Sequence, residues 1–262
     1  MSPKTVVITG GSSGIGRAAA EMFARRGDTV YDLSRHDAGT PGVLHMDADV
    51  TRPETLCAAM ETIAAVQGRI DVLICCAGMG VSGAAECIAE PDLHRQFDVN
   101  LYGTIHAVRA VLPHMRTQKS GSILCVSSVA AVYAIPFQAF YSASKAAVNA
   151  FADALRTEVQ PFGIRVCAVM PGDIATGFTA ARCKTTAGSD IYPCADAAVA
   201  KMEQDEKNGM SPERVAAQLI RLADKKSLAP LYTVGGSYRF LVFLRRLFPG
   251  ALASKIVGQM YR

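Results

Sequence analysis

The sequence lacks the features that would place it outside ordinary single-domain globular proteins. No two of its eight cysteines (Cys57, Cys75, Cys76, Cys87, Cys125, Cys167, Cys183 and Cys194) form a CxxC pair, and none clusters with histidine. That argues against a zinc site or a redox dithiol. No metal is expected, and most of the thiols read as small reduced core residues. There is no low-complexity tract of the kind that stays disordered, no internal repeat and no second domain boundary. The stretch from Met1 to Ile8 has no basic region, apolar run or cleavage site of a secretory signal, so a cytoplasmic protein is expected. Acid is missing from the end of the chain. From Lys225 onward come Lys225, Lys226, Arg239, Arg245, Arg246, Lys255 and Arg262, with no Asp or Glu. Apolar runs separate these basic residues, so nucleic acid is not expected as a partner.

What is present suits a compact α/β domain. The 262 residues, 50% hydrophobic and 19% charged, are enough to bury a substantial core without disulfides or metals. Apolar, β-branched runs at Thr5–Thr9, Thr29–Leu33, Ile70–Cys75, Ser122–Ser127 and Arg165–Met170 read as buried strands, with a last one at Leu228–Val234. Between them, Ile15–Arg26, Glu54–Val66, Leu101–Arg116 and Ala139–Val159 carry apolar residues at helical spacing. The alternation predicts a Rossmann-type, doubly wound parallel sheet flanked by helices, as one domain over residues 1–262. Pro171 and Gly172 end a strand and open a segment too long for an ordinary connection. It is read as a mobile substrate-binding lid over 174–210. Ser211-Pro212-Glu213 then starts a helix, with Pro at its first position.

The first strand runs into Thr9-Gly10-Gly11-Ser12-Ser13-Gly14-Ile15-Gly16 and then a helix. Glycines 10, 14 and 16 allow a tight turn and a close approach to a pyrophosphate, and the helix start offers free N–H groups and a positive dipole end. Strand before and helix after are the context that a dinucleotide site requires. Which dinucleotide is decided after the second strand, in Tyr31-Asp32-Leu33-Ser34-Arg35-His36. An acid there grips the ribose hydroxyls of NAD, whereas a base favours the 2′-phosphate of NADP. Ser34 aligns with the acidic position and Arg35 follows with a guanidinium suited to phosphate, His36 beside it. NADP(H) is favoured. The competing reading makes Asp32 the ribose ligand and Arg35 a solvated loop residue.

Tyr141-Ser142-Ala143-Ser144-Lys145 opens a helical stretch, and four-residue spacing puts Tyr141 and Lys145 on one face. A phenol with a reference pKa near ~10 is a weak base at neutral pH, and an adjacent ammonium, helped by the positive nicotinamide ring, favours its phenolate. Ser128 lies at the carboxyl end of a strand, where open α/β sheets bind ligands, and can hydrogen-bond a reacting oxygen.

TGxxxGxG, a Ser thirteen residues before the Tyr, YxxxK and a following Pro-Gly together resemble the short-chain dehydrogenase/reductase family over essentially the whole chain. The resemblance implies hydride transfer between NADP(H) and a secondary alcohol or ketone. Tyr141 would be the general acid/base, Ser128 would orient the substrate, Lys145 would hold the nicotinamide ribose, and Asn100 would help carry protons through a water. Asp49 and Val50 resemble the family's adenine contact. Pro171-Gly172-Asp173-Ile174-Ala175-Thr176 resembles its carboxamide-binding turn, with Ile174 and Thr176 as contacts. Where the family has Asn-Asn-Ala-Gly, this chain has Cys75-Cys76-Ala77-Gly78. Backbone contacts from Ala77 and Gly78 can survive there, but the usual Asn side-chain bonds cannot.

The tail departs most from the family pattern. The C-terminal extension, 237–262, contains Tyr238–Pro249, apolar almost all round with a narrow basic stripe. Twelve residues cannot span a bilayer. They can lie in a membrane interface as a peripheral contact, cap an apolar pocket or pack on a second subunit. This resembles the hydroxysteroid and retinol dehydrogenase branch, which implies a lipophilic substrate such as a ketosteroid, and a homodimer or homotetramer. A 3-oxoacyl-thioester reductase and a non-catalytic NADP(H)-binding regulatory protein are the alternatives.

Overall fold

A computed structural model of the chain describes residues 2–247, Gly250, Lys255 and residues 257–259. The other positions of the expected extension at 237–262 lie outside the described residues. In chain order the elements are β1 (Thr5–Thr9), α1 (Gly14–Arg25), β2 (Thr29–Ser34), β3 (Val43–Asp47), α2 (Pro53–Gln67), β4 (Val72–Cys75) and β5 (Val81–Ser82). There follow α3 (Glu90–Phe97), α4 (Gly103–Thr117), β6 (Gly121–Val126), α5 (Ala139–Val159), β7 (Ile164–Pro171), α6 (Phe178–Ala181) and β8 (Cys183–Lys184). The last are α7 (Ala195–Lys207), α8 (Pro212–Asp224), β9 (Leu231–Val234) and α9 (Gly236–Leu247).

Seven strands form one parallel sheet in the order β3-β2-β1-β4-β6-β7-β9. The Val- and Ile-rich runs of β1, β4 and β6 are buried along their whole length, as strands covered on both faces must be. On one face Leu56, Met60 and Ile63 of α2, Val108 and Val111 of α4 and Val148 of α5 close over the sheet. On the other, Phe23 of α1 packs with Val215 and Leu219 of α8. The strand order reverses between β1 and β4, which opens a crevice at the carboxyl ends of the strands.

The expected helices and strands recur with small shifts at their ends, and new features stand beside them, the short helix α3 among them. The strand β3 was not expected. The segment 174–210 is built rather than irregular: it holds α6, β8 and α7, and β8 pairs with β5 in a separate two-stranded sheet. A bridge between Ile174 and Met210 closes its base. Among the described residues, no helix is long and apolar enough to cross a membrane.

Candidate active site

A cavity of about 700 Å³ lies over the carboxyl ends of β1, β4, β6 and β7, within the range of cofactor and small-molecule sites. Every expected cofactor residue lines it: Gly10, Ser12, Ser13, Gly14, Ile15, Gly16, Ser34, Arg35, Asp49, Val50, Ala77, Gly78, Tyr141, Lys145, Pro171, Gly172, Ile174 and Thr176. Ser128 lines it too. Asn100 stands behind the wall, fully buried.

The glycine turn is set by close backbone packing. A Cβ on Gly16 would come within 2.2 Å of the Gly10 carbonyl oxygen, and one on Gly10 within 2.8 Å of Ala77 Cα. Gly10 and Gly14 also hold φ values of +69° and +53°, which favour glycine. Helix α1 starts here with no side-chain cap from Ser13 and no acid in its first turn. Its first amides are therefore open to an anion.

Asp32 is buried, where its Oδ1 accepts the Gly11 N–H at 2.7 Å and its Oδ2 accepts the Ser34 hydroxyl at 2.7 Å. His45 Nδ1 stands 3.5 Å from that same Oδ2. This carboxylate braces the glycine turn from behind, while Ser34, Arg35 and His36 face the cavity. Further along the wall, burial acts to raise the Asp49 pKa. Hydrogen bonds from Thr51 and the charges of Arg35 and Arg52 outweigh it and leave that carboxyl below its usual value.

The Cys75-Cys76-Ala77-Gly78 departure has a structural answer. Thr9 accepts the Cys76 N–H at its carbonyl, 3.1 Å, and the Ala77 N–H at its hydroxyl, 3.4 Å. Asn100 sits in a single wide π turn over Asp98–Tyr102. Its Oδ1 accepts the Met79 N–H at 2.8 Å, and its Nδ2 donates to the Met79 carbonyl at 3.0 Å and to Ser144 Oγ at 3.1 Å. The amide is thus fully engaged in holding the loop after β4. A Cβ on Gly78 would still meet Asn100 Oδ1 at 3.4 Å and Lys145 Nζ at 3.6 Å, so the two border one another across that glycine.

Ser128 follows β6, and its Oγ accepts the Ala130 N–H at 3.1 Å. Ser127 donates its hydroxyl to the Lys145 carbonyl at 3.0 Å, tying the strand end to α5. Lys145 is buried; its Nζ donates to the Val126 carbonyl at 3.0 Å and lies 5.9 Å from the centre of the Tyr141 ring. Burial pushes the Lys145 pKa down to about 8, against the nearby Cys76, Cys125 and Cys75 thiols. Burial also governs Tyr141: it pushes the phenol up to about 12, even though a hydrogen bond with Ser128 lowers it, and Glu206 adds to the rise. Desolvation is the largest influence on the phenol.

Sequence reasoning missed the far wall. The Phe178 ring packs 5.9 Å from that of Tyr141, and the Arg182 guanidinium lies 5.7 Å over Phe178. Arg182 pairs with Glu206, whose other oxygen accepts the Thr179 hydroxyl at 2.6 Å. Only the length of the 174–210 segment hinted at this wall.

Comparison with known proteins agrees with this geometry. Residues 4–187 match the family model described as short chain dehydrogenase. The chain is 40% identical over 233 residues to a protein of Bacteroides thetaiotaomicron named 3-ketodihydrosphingosine reductase, covering 87% of this chain and 86% of that one. It is 32% identical over 189 residues to human Retinol dehydrogenase 8, covering 68% and 61%. A solved short-chain dehydrogenase from Streptomyces avermitilis superposes with a TM-score of 0.83 at 30% identity, over 94% of this chain and 92% of that one. The chain belongs to the short-chain dehydrogenase/reductase family and is an oxidoreductase of that family.

Proposed function

We propose that this protein is an NADP(H)-dependent reductase of a lipophilic ketone, with a long-chain 3-keto sphingoid base ahead of a ketosteroid. The observation that carries the cofactor half is the engagement of Asp32 with Gly11 and Ser34. It keeps acid away from the ribose end and leaves Arg35 at the cavity wall. The substrate half rests on the 40% identity to the relative named for 3-ketodihydrosphingosine. That identity moves the ketosteroid expected from the tail to second place. Family membership supports a homodimer or homotetramer, and a cytoplasmic setting stays part of the proposal.

The uncapped start of α1 and the glycine turn fit a pyrophosphate, and the Arg35 guanidinium beside Ser34 fits a 2′-phosphate. Bound there, the nicotinamide would supply the hydride. Ser128 Oγ and the Tyr141 hydroxyl hold the carbonyl oxygen, and Tyr141 passes its proton to that oxygen as negative charge develops on it. A phenol near 12 is protonated at neutral pH, the form that a reduction needs. The Lys145 ammonium then stabilises the phenolate left behind.

Two expected outcomes follow. Arg35→Ala should raise KM for NADPH about 10- to 100-fold, the worth of one charge-assisted phosphate contact, with KM for NADH unchanged. Equal effects on both cofactors would end the 2′-phosphate assignment. The second concerns pH. Lys145 loses its charge as pH rises through about 8, so kcat/KM for ketone reduction should be level below that value and fall above it. A rate that holds level to about two units above that pKa would rule out the ammonium's role.

The substrate test is NADPH consumption with 3-ketodihydrosphingosine, a ketosteroid and a 3-oxoacyl thioester. The expected order of kcat/KM is the order just given. Fastest turnover of the thioester would transfer the protein to the ketoreductases. Tight NADP(H) binding with no turnover at all would make it a binding protein.

A further inference from the structure

Nine large apolar side chains stand exposed among the described residues, and four of them (Phe240, Leu241, Phe243 and Leu247) lie on α9. We propose that α9 docks the protein on an anionic lipid surface, beside the mouth of the active-site cavity.

The helix is held in one rotational setting. The Tyr238 hydroxyl donates to Asp173 Oδ2 at 2.6 Å. Its ring lies so close to Gly172 that a Cβ there would come within 2.2 Å of it. On the other side, the Tyr133 hydroxyl donates to the Leu241 carbonyl at 2.7 Å. Gly172 and Asp173 both line the catalytic cavity. At about 100° per residue, Phe240, Phe243 and Leu247 fall within an arc of about 60° centred opposite Tyr238. The anchor that fixes Tyr238 inward thus turns this stripe outward, at 61%, 55% and 63% exposure. Single exposed apolar residues are ordinary, whereas an aligned stripe marks an interaction surface.

Charge selects the occupant. Arg239 flanks the stripe and is exposed, and α9 itself carries three arginines and no acid. Phenylalanine and leucine on one face of a helix whose only charged residues are arginines suit the headgroup boundary of an anionic bilayer. A two-fold contact with a second copy would bring two such tails together, base against base. Twelve residues are too few to cross the bilayer, so α9 would lie in its plane. Docking does not depend on the substrate assignment. Its use, letting a lipophilic ketone pass from the membrane to the cavity, rests on the proposed function.

The chain contains no tryptophan, so Phe243→Trp installs a sole indole on the stripe. With vesicles of phosphatidylcholine mixed with phosphatidylglycerol, its emission should shift to the blue and the protein should sediment with the lipid. Phosphatidylcholine alone should bind at least about fivefold more weakly, the worth of one basic residue near an anionic surface. Phe240→Asp with Phe243→Asp should lower vesicle binding by at least about tenfold and leave NADPH oxidation with a small water-soluble ketone unchanged. Three outcomes would overturn the proposal: no sedimentation with either vesicle, equal binding to both, or an oligomer that the double substitution dissociates while vesicle binding persists. Both binding readouts work without turnover, so a failed substrate assignment remains distinct from failed docking.

Discussion

Tyr141→Phe is expected to lower kcat for ketone reduction by about 10²- to 10⁴-fold, the usual contribution of a positioned proton donor. The substitution is clean because of what the ring does besides. Its packing against Phe178 and its place beside the Lys145 amine need only the six-membered ring, which phenylalanine keeps. Removed are the hydroxyl, its hydrogen bond with Ser128 and the proton it gives. Ser128 retains its bond from the Ala130 N–H, so the turn after β6 should hold and NADPH affinity should not change. Turnover followed by NADPH absorbance, and affinity by fluorescence of the bound nucleotide, separate the two effects. Activity near wild type would count decisively against Tyr141 as the acid. A parallel loss of NADPH affinity would show that the hydroxyl holds the site together instead of moving a proton.

Most of the sheet was legible because its strands are buried on both faces and therefore spell continuous apolar runs, as in Thr5–Thr9 and Ser122–Ser127. The strand β3 escaped because it lies at the sheet edge. Val43–Asp47 is half covered and carries His45 and Asp47, so its apolar content is too thin to stand out; pairing with β2 makes it a strand. The pair β5–β8 escaped for another reason. Two-residue strands more than a hundred positions apart leave no periodicity to find. Helix α5 was read to its observed ends, since Ala139–Val159 is long and its apolar spacing is unbroken.

The candidate site divides along similar lines. Residues clustered in sequence, such as the glycine turn and Tyr141 with Lys145, could be read from spacing alone. The direction of the Asp32 carboxylate could not: its bonds to Gly11 and Ser34 are a matter of side-chain orientation that spacing does not carry. Asn100 and Met79 are joined across twenty-one positions, and Arg182 and Glu206 across twenty-four. Neither pair has a motif. The rise that burial gives the Tyr141 pKa was also beyond the sequence, where reference pKa values and neighbouring charges are visible and desolvation is not.

The largest effect expected on stability lies in that unforeseen wall. The Arg182 side chain is completely buried and pairs with Glu206, yet its Nε and Nη1 find no hydrogen-bond partner among the described residues. Such a guanidinium is costly to bury and more costly still to strand. Arg182→Met leaves Glu206 with the Thr179 hydroxyl and no counter-charge. Glu206→Met leaves a buried cation with none. Each single change should cost about 3 kcal/mol, which for a chain of this size is a fall in Tm of about 10 °C. The double variant should recover most of that loss, because two apolar side chains of similar bulk need no partner. Thermal unfolding of the four proteins forms a double-mutant cycle, and additive losses would show that the pair does not act as a unit. Function should follow the same wall. Without Arg182 over its ring, Phe178 is less constrained beside Tyr141, so KM for a bulky ketone should rise in Arg182→Met more than kcat falls. A fall in kcat alone would instead mean that the Arg182 charge acts on the Tyr141 proton directly.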